Sequence, residues 1–489
     1  MVDLRPPQQS DLGSRSLLDS SRSTPLTLQL GTGASIYTGI LIPAILSAKH
    51  EIILVTCFWA PSKTLSALHN ALERLAATRL SLLNRGHPLP TLLVSICLSS
   101  RSLLQKLLHT SSPEGYLYPP SSWPKKLGLP TQEVLEAGGI SLTVKSLFFL
   151  PFSVMHPKFL IVDRQRAFVP SCNISWEAWL EGCVEIRGPA LRDLLIFYSG
   201  TWDKALDVHK QFPHALDDVN GEGSLSNTET NRVATTVHYI HAFPADQAEI
   251  RTLILPSSQH RNPHFHPFPW QSAPQVPSTP LNLALLQLFD EAVDSIYVQT
   301  PNLTSAPVIS TLLAALQRGV HVAIVTSRNM MLLEQLVTAG TTTGWCIRSM
   351  VRRYKSMCSA SAAATRPEAR GNGEDQDLEI QDPHPGMLRI SYFHSRQGGT
   401  SRRQQQQQAD LEAQAITVAE EPVHSHLKLT IVDGRYTVLG SGNMDRASWY
   451  TSQELGILFD SADFAFATKG AVDQVLDGRL ELVFGSEPA

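Results

Sequence analysis

The sequence has few charges and no strong excess of either sign. Asp, Glu, Lys and Arg make up 17% of its 489 residues, and the formal net charge is −4. This excludes a net basic field that would gather nucleic acid or an anionic membrane over the whole surface, although it leaves room for a local basic groove. Because 43% of the residues are hydrophobic, a chain of this length can bury the cores of two or three domains.

Long apolar runs and closely spaced cysteines are also missing. The best apolar stretch, 34–55, contains Pro43 and is interrupted by Lys49, His50 and Glu51, so we predict no membrane span. The N-terminal residues lack the apolar segment of a secretory signal. The six cysteines form no C-x-x-C pair, which argues against zinc and favours reduced thiols. We therefore predict an intracellular protein, either soluble or peripherally associated with a membrane.

What the sequence does contain is an internal repeat. AKHEIILVT (48–56) and AVDSIYVQT (292–300) each read as a helix end followed by a buried strand, 244 residues apart. Apolar residues at helical spacing follow at the same offset, and each half continues with a second apolar run, at 91–98 and 321–327. Strand, helix and strand in this order predict a parallel βαβ unit in each half.

A second pair of segments carries polar residues in the pattern H-x-K-x-x-x-x-D. HPKFLIVD occupies 156–163 and HLKLTIVD occupies 426–433, 270 residues apart. The apolar run between Lys and Asp predicts a strand, and alternation places His and Lys on one face. A Ser and an Asn follow each motif in the same register, and a Glu follows the Asn after twelve or eleven residues. The candidate residues, in pairs, are His156 and His426, Lys158 and Lys428, Asp163 and Asp433, Ser171 and Ser441, Asn173 and Asn443, and Glu185 and Glu454.

The two offsets also locate insertions and linkers. They differ by 26 residues (270 − 244), and the polar, Gly/Pro-bearing and Gln-rich segment 359–420 is predicted to be a low-complexity insertion, interrupted by a short strand at 388–393. In the Pro-rich linker, His260, His264 and His266 are predicted to be solvated rather than metal ligands. The predicted organisation is a disordered N-terminus (1–33), a first half (34–212), a linker (213–280) and a second half (281–489).

The paired motifs, each followed by a Ser and an Asn, resemble the phospholipase D superfamily. In the second half, 295–327 and 426–457 are similar to its cardiolipin synthase branch in particular. The resemblance implies an α/β fold with two similar lobes, each a mixed, mostly parallel β-sheet flanked by helices, packed face to face. The first half departs from the family pattern at Pro170 and Cys172, where small glycine-like residues are usual. Pro170 lacks a backbone N–H and fixes φ, so the shape of the loop that carries Asn173 is an open point.

The resemblance also implies a chemistry. One histidine attacks phosphorus and forms a covalent phosphohistidine, and the other protonates the leaving alcohol and then activates water or a second alcohol. The family usually uses the histidine of the first half as nucleophile, which here is His156, with His426 as acid and base. The lysines and asparagines neutralise the phosphate oxygens, so neither a metal nor another cofactor is expected.

The remaining candidates are given supporting roles. Glu185 and Glu454 are candidates for holding an imidazole nitrogen, by analogy with other oriented histidines. The alternative for both is a surface carboxylate at a strand end. Asp163 and Asp433 end strands and are expected to brace the lobes rather than contact substrate.

Three functions remain open from the sequence. The first is an enzyme that hydrolyses or transfers phosphatidyl groups of phospholipids, with possible peripheral membrane contact. The second is a nuclease of the same superfamily, against which the net charge and the absence of a basic, aromatic stripe argue mildly. The third is a scaffold or binding protein with a decayed site, against which the intact His, Lys and Asn residues argue. Head-group preference and oligomeric state are not predicted.

Overall fold

The computed structural model describes residues 21–101, 115–149, 153–175, 177–213, 239–244, 248–258, 275–364, 384–396 and 421–486. The first half contains ten strands within these ranges: β1 (Arg22–Thr32), β2 (Glu51–Phe58), β3 (Leu92–Ser100), β4 (Tyr116–Leu117), β5 (Ile140–Ser146), β6 (Phe148–Phe149), β7 (Ser153–Val154), β8 (Phe159–Val162), β9 (Arg166–Pro170) and β10 (Trp179–Arg187). Its helices there are α1 (Gly33–Ile36), α2 (Ile42–Leu46), α3 (Lys63–Asn84), α4 (Gln132–Ala137) and α5 (Ala190–Thr201). A π-helical turn (Tyr37–Leu41) joins α1 to α2, and a 3₁₀ turn (Pro120–Ser122) and a second π-helical turn (Trp123–Leu127) precede α4.

The rest of the described chain repeats this order. Its strands are β11 (Tyr239–Ala242), β12 (Ile250–Ser257), β13 (Ser295–Gln299), β14 (His321–Ser327), β15 (Leu388–Phe393), β16 (His424–Ser425), β17 (Leu429–Val432), β18 (Tyr436–Gly440), β19 (Glu454–Asp460) and β20 (Leu480–Gly485). Its helices are α6 (Pro280–Glu291), α7 (Ala306–Gln317), α8 (Leu332–Ala339), α9 (Thr343–Ala364), α10 (Arg446–Tyr450) and α11 (Ala462–Leu476).

The predicted βαβ unit is confirmed in both halves. The strands β2 and β3 are parallel and flank α3, and β13 and β14 are parallel and flank α7. Each first strand also pairs with the strand of the H-x-K motif, with Ile52 opposite Val162 and Ile296 opposite Val432. The strands β2 and β13 read as continuous apolar runs because both faces of these central strands are covered.

Most strands of each half form one sheet, and the two sheets are joined into a continuous 18-stranded sheet where β1 pairs with β12 and β10 pairs with β16. Both sheets are mixed, as predicted, but they are not mostly parallel. Their orders are β4-β5-β3-β2-β8-β9-β10-β1-β11 and β20-β15-β14-β13-β17-β18-β19-β12. The parallel pairs are β2–β3–β5 in the first sheet and β13–β14–β15 in the second. The motif strand continues in each half into hairpins with short connections, and such connections can join only antiparallel strands.

The two sheets enclose a shared core. One cluster of buried side chains contains Phe159 and Ile161 of β8 together with Leu429 and Ile431 of β17, and includes residues of α5 and α11. A second cluster lies between the first sheet and α3, and a third between the second sheet and the helices α6, α7 and α9. One face of each sheet thus packs against the helices of its own half, and the opposite face packs against the other half of the chain. This is the face-to-face packing that was predicted.

Several predicted boundaries change. Residues 22–32, predicted to be disordered, form β1, which pairs with β10 and completes the first sheet. The predicted linker 213–280 contains β11, which joins the first sheet, and β12, which joins the second. The strands β1, β11 and β12 each pair with a strand of one of the sheets, which satisfies the hydrogen bonds of their backbone N–H and C=O groups.

Residues 359–364, predicted to belong to the low-complexity insertion, form the end of α9. Its short strand, predicted at 388–393, is β15. His260, His264 and His266 lie outside the described residues. Among the described helices, none is both long and apolar enough to cross a bilayer.

Candidate active site

A lysine turns back onto the histidine of its own motif in each half. His156 and Lys158 lie between β7 and β8, and His426 and Lys428 lie between β16 and β17. Lys158 Nζ donates to the His156 carbonyl oxygen at 2.8 Å, and Lys428 Nζ donates to that of His426 at 2.7 Å. Both lysines are almost fully buried, at 1% and 4% exposure. Each half therefore places an ammonium group beside its histidine, away from bulk water.

Backbone hydrogen bonds between the halves bring the two motifs together. The His156 N–H donates to the Gln453 carbonyl oxygen at 3.0 Å, and the Gln453 N–H donates to the Val154 carbonyl oxygen at 2.9 Å. In the opposite sense, the His426 N–H donates to the Leu180 carbonyl oxygen at 2.8 Å, and β16 runs parallel to β10. Each motif is thus paired with a strand of the other half, so both histidines lie at the interface between the halves.

Each histidine is held by a glutamate of the opposite half. His156 Nδ1 lies 2.8 Å and 2.9 Å from the two carboxylate oxygens of Glu454. His426 Nδ1 lies 2.7 Å from Glu181 Oε1. A carboxylate at Nδ1 keeps the proton on that nitrogen, and the lone pair of a neutral imidazole is then on Nε2. The two crossed contacts therefore give both histidines the same tautomer and couple the halves to each other.

The glutamates are in turn positioned by the serines of the repeat. Ser441 Oγ donates to Glu454 Oε2 at 2.5 Å and accepts from the Leu455 N–H at 3.0 Å. Ser171 Oγ donates to Glu181 Oε2 and accepts from the Gly182 N–H at 2.9 Å. Each half thus contributes a Ser–Glu pair to the histidine of the other half.

Comparison with known proteins supports the resemblance seen in the sequence. Residues 285–474 match a family model described as "Cardiolipin synthase, PLD-like domain". The fold of nearly the whole chain is similar to the crystal structure of phosphatidylserine synthase of Haemophilus influenzae Rd KW20, with a TM-score of 0.52 and 14% identity over 97% of this chain and 92% of that chain. Residues 285–474 are thus similar to a phospholipase D-like domain, and the fold of the chain is similar to that of this synthase.

Two further solved structures match shorter parts of the chain. Nuc of Salmonella typhimurium, a phospholipase D family member, is 16% identical and has a TM-score of 0.24, covering 42% of this chain and 95% of that chain. NucT from Helicobacter pylori is 13% identical with a TM-score of 0.23, covering 41% of this chain and 89% of that chain. No curated protein matches the chain.

The prediction that Glu185 holds an imidazole in this phospholipase D-like site is wrong. Glu185 accepts hydrogen bonds from Arg166 at 2.7 Å and from Thr27 at 3.1 Å. The carboxylate of β10 that contacts an imidazole is that of Glu181, four residues earlier. Glu181 follows Asn173 by eight residues (181 − 173), whereas Glu454 follows Asn443 by eleven (454 − 443). The second interval is longer because it contains α10. Counting from the ends of β10 and β19 rather than from the Asn would have found Glu181.

The loop after β9 keeps the backbone hydrogen bond of its serine despite Pro170. Gly440, at the same place in the second half, has φ 155°, and a Cβ there would lie 2.1 Å from the Leu455 carbonyl oxygen. A proline cannot adopt that φ. The backbone nevertheless recovers one residue later, since the Ser171 N–H donates to the Gly182 carbonyl oxygen at 2.8 Å, as the Ser441 N–H does to Leu455 at 2.9 Å. At the serine, the backbone hydrogen bond is therefore the same in both halves, although Pro170 precedes it in the first half.

The two asparagines make different contacts. Asn173 Oδ1 accepts from the Phe58 N–H at 3.2 Å. Asn443 Nδ2 donates to Asp445 Oδ2 at 2.9 Å, and within the described part of the chain no donor reaches Asn443 Oδ1, although the residue is 6% exposed. Both residues lie directly after the hairpin strand, on the loops that also carry the serines.

The motif aspartates lie at the opposite end of the motif strands and contact backbone rather than the histidines. Asp163 accepts from the N–H groups of residues 49–51 at 2.7–2.9 Å, and Asp433 accepts from those of residues 293–295 at 2.9–3.3 Å. These N–H groups belong to the start of β2 and of β13. Each aspartate therefore fixes the central strand against the motif strand.

Burial and the neighbouring charges shift the ionisation of the site. Burial lowers the pKa of His426 well below its usual value, and Lys428, Lys158 and His156 lower it further. Burial also lowers the pKa of His156, although Glu454 acts in the opposite direction. Burial lowers the pKa of Lys428 to about 7 and raises the pKa of Glu181 to about 7. Groups from both halves thus act on one another electrostatically.

Within the described ranges, no group of three or more His, Cys, Asp or Glu side chains could hold a metal ion. The positive charge available at the interface comes from the two lysines.

Proposed function

We propose that this protein is a member of the phospholipase D superfamily that cleaves phospholipid phosphodiesters and passes the phosphatidyl group to water or to an alcohol. The observation that carries the proposal is the pair of crossed His–Glu contacts, which prepares one imidazole from each half with an available Nε2. A double displacement at phosphorus needs two such groups, one to bond to phosphorus and one to move a proton. The lipid assignment is favoured by the family model, whose name is that of a phospholipid synthase.

The first step forms a bond between His156 Nε2 and phosphorus and breaks the bond from phosphorus to the leaving alcohol. His426 enters this step in its protonated form, with Nδ1–H bound to Glu181, and its Nε2 proton passes to that alcohol, which leaves the imidazole neutral. Lys158 and Lys428 offset the negative charge on the phosphate oxygens, and a side-chain N–H of Asn173 and of Asn443 donates to the same oxygens. Glu454 stabilises the positive charge that develops on His156 during attack.

The second step reverses these roles. His426, now neutral, takes a proton from water or from a second alcohol, whose oxygen bonds to phosphorus. The phosphorus–nitrogen bond to His156 breaks, and the product is a phosphatidic acid or a new phosphatidyl ester. Both outcomes use the same covalent phosphohistidine.

Product analysis tests this function. The protein is incubated with vesicles of phosphatidylcholine and phosphatidylglycerol in the presence of 1-butanol, and separately with single-stranded DNA. We expect phosphatidic acid together with phosphatidylbutanol, because an alcohol competes with water for the covalent intermediate. Cleavage of DNA without any phosphatidyl product would indicate a nuclease instead, and turnover of neither substrate would indicate a binding protein.

Replacing either crossed glutamate by glutamine should lower kcat by about 10²- to 10⁴-fold, because an amide no longer fixes the histidine tautomer or stabilises the imidazolium. We expect this for both Glu181→Gln and Glu454→Gln, measured as steady-state turnover of a soluble phosphodiester. The matched control is Glu185→Gln, which changes another buried carboxylate of β10 that binds Arg166 instead. A loss of kcat in the control as large as in Glu181→Gln would contradict the assigned roles.

The pH dependence follows from the shifted groups. Lys428, with its pKa lowered to about 7, is cationic below that pH and loses its charge above it. The pair of Glu181 and His426 loses the proton needed by the leaving alcohol over the same range, since the pKa of Glu181 is raised to about 7. We therefore expect kcat/KM to fall as pH rises above about 7, with a limiting slope of about −2 in the logarithmic plot.

The alkaline limb has two further signatures. A bound phosphodiester anion favours the cationic form of Lys428, so the fall in kcat should begin at a higher pH than the fall in kcat/KM. In Lys428→Arg the charge is permanent, and the slope should become about −1. A kcat/KM that stays level well above pH 7 in the unmodified protein would contradict the involvement of both groups.

A further inference from the structure

The helix α8, which follows β14, presents its apolar side chains to solvent. Leu333 is 77% exposed, and Leu332, Leu336 and Val337 are between 40% and 46% exposed. Its buried side is polar, since Gln335 is 3% exposed and its Oε1 accepts from the Thr343 N–H at 2.6 Å. A helix on the surface of a globular domain normally has the opposite arrangement. Contiguous exposed apolar residues of this kind mark interaction sites.

The adjoining helix α9 adds an aromatic side chain and positive charge to the same surface, since Trp345 and Arg348 line one cleft with Leu332 and Leu336. Trp345, in its first turn, is 56% exposed. Arg348, Arg352, Arg353 and Lys355 follow, all exposed, and the sequence of α9 contains neither Asp nor Glu. Within the described ranges, no carboxylate forms an ion pair with the three arginines. The four positive charges of α9 outnumber the one acidic residue of α8, the exposed Glu334, and on a chain of net charge −4 they point to an anionic partner.

This surface adjoins the second half-site. Arg446, three residues after Asn443, donates through Nε to the Thr338 carbonyl oxygen of α8 at 3.0 Å. Its backbone N–H donates to Thr304 Oγ1 at 3.2 Å. The loop that carries Asn443 is therefore anchored directly to α8, so whatever binds α8 lies next to the site.

We infer that the apolar–basic face, defined as Leu332, Leu333, Leu336, Val337 and Trp345 with Arg348, Arg352, Arg353 and Lys355, docks on a bilayer surface that contains anionic phospholipids. Leucine and valine side chains enter the acyl boundary, tryptophan lies at the head-group level, and the arginines contact phosphate groups. Charge selects this occupant over an uncharged one. The inference adds recruitment of the protein to the membrane to the proposed function. It rests on that function in one respect, namely that the substrate is a lipid.

Vesicle co-sedimentation tests the inference with the full chain. The probes are vesicles of phosphatidylcholine alone and of phosphatidylcholine and phosphatidylglycerol in equal parts. We expect binding that depends on phosphatidylglycerol and weakens with salt. The variant Leu333→Ser with Trp345→Ser should lose about tenfold in affinity for each side chain. The variant with Arg348, Arg352 and Arg353 each changed to Glu should lose at least about fivefold for each arginine.

Each variant has a matched control. Phe466→Ser changes an 83% exposed aromatic side chain of α11. Changing Arg74, Arg85 and Arg192 to Glu alters three exposed arginines elsewhere and gives the same net charge as the arginine variant. We expect both controls to bind vesicles like the unmodified protein, and all variants to cleave bis(p-nitrophenyl) phosphate at the unmodified rate.

Binding and turnover separate the two proposals. Failure of the unmodified protein to bind the mixed vesicles, or equal binding by variants and controls, would overturn the docking surface even with turnover intact. Selective loss of binding in the face variants would support it, even if no form of the protein cleaved a phosphodiester and the proposed function failed.

Discussion

Replacing either His156 or His426 by alanine should lower kcat/KM for cleavage of a phosphodiester with an alkyl alcohol as leaving group by about 10⁴-fold or more, because a full turnover needs one imidazole to bond to phosphorus and the other to move the proton. The fold should survive both changes. The glutamate left behind in His426→Ala has a pKa raised to about 7 by burial and can take up a proton. Turnover of a soluble phosphodiester measures the loss, and circular dichroism with a thermal melt measures the fold.

A suitable control changes a histidine with a similar local contact. His69 Nε2 lies 3.2 Å from Glu73, and its Nδ1 lies 3.1 Å from the Gly128 carbonyl oxygen, but the residue belongs to α3 on the outer face of the first sheet. His69→Ala should therefore leave turnover within about twofold of the unmodified protein. Most of the activity remaining in both His156→Ala and His426→Ala would reject the two-histidine mechanism.

Much of this architecture is visible in the sequence because it is written twice. The offset of 244 identifies β2 and β13, the offset of 270 identifies β8 and β17, and the two pairs meet in the same register in each half. The periodicity that predicts these strands reflects burial on both faces, which is a local property of the chain. Strands with a weaker pattern, such as β1, depend on a sheet edge provided by distant residues and were not recognised.

The contacts that define the site are harder to predict. The His–Glu contacts join residues 298 and 245 positions apart, and both cross from one half to the other. A repeat predicts equivalent residues within each half but does not say which half supplies the partner. The misassignment of Glu185 has a different origin, because α10 lengthens one copy of the loop and shifts the spacing of the carboxylate.

Because the two histidines have different roles, removing His426 should trap the covalent intermediate on His156. In His426→Ala, a phosphatidyl ester of p-nitrophenol should still react with His156, since p-nitrophenolate leaves without needing a proton. Breakdown of the intermediate needs a base to activate water, and His426 is that base, so the adduct should persist. We expect a burst of about one p-nitrophenol per active site, followed by little turnover, and a phosphatidyl group on residue 156 by peptide mapping.

The glutamates then distinguish the roles of the two histidines within that experiment. Glu454 holds the attacking His156, so adding Glu454→Gln to His426→Ala should slow the burst. Glu181 holds the residue already removed, so adding Glu181→Gln should leave the burst rate nearly unchanged. His156→Ala with the same substrate should give neither burst nor adduct. If that variant instead accumulated a phosphatidyl group on His426, the nucleophile and the acid would exchange places, whereas the absence of a burst from both single variants would contradict a phosphohistidine altogether.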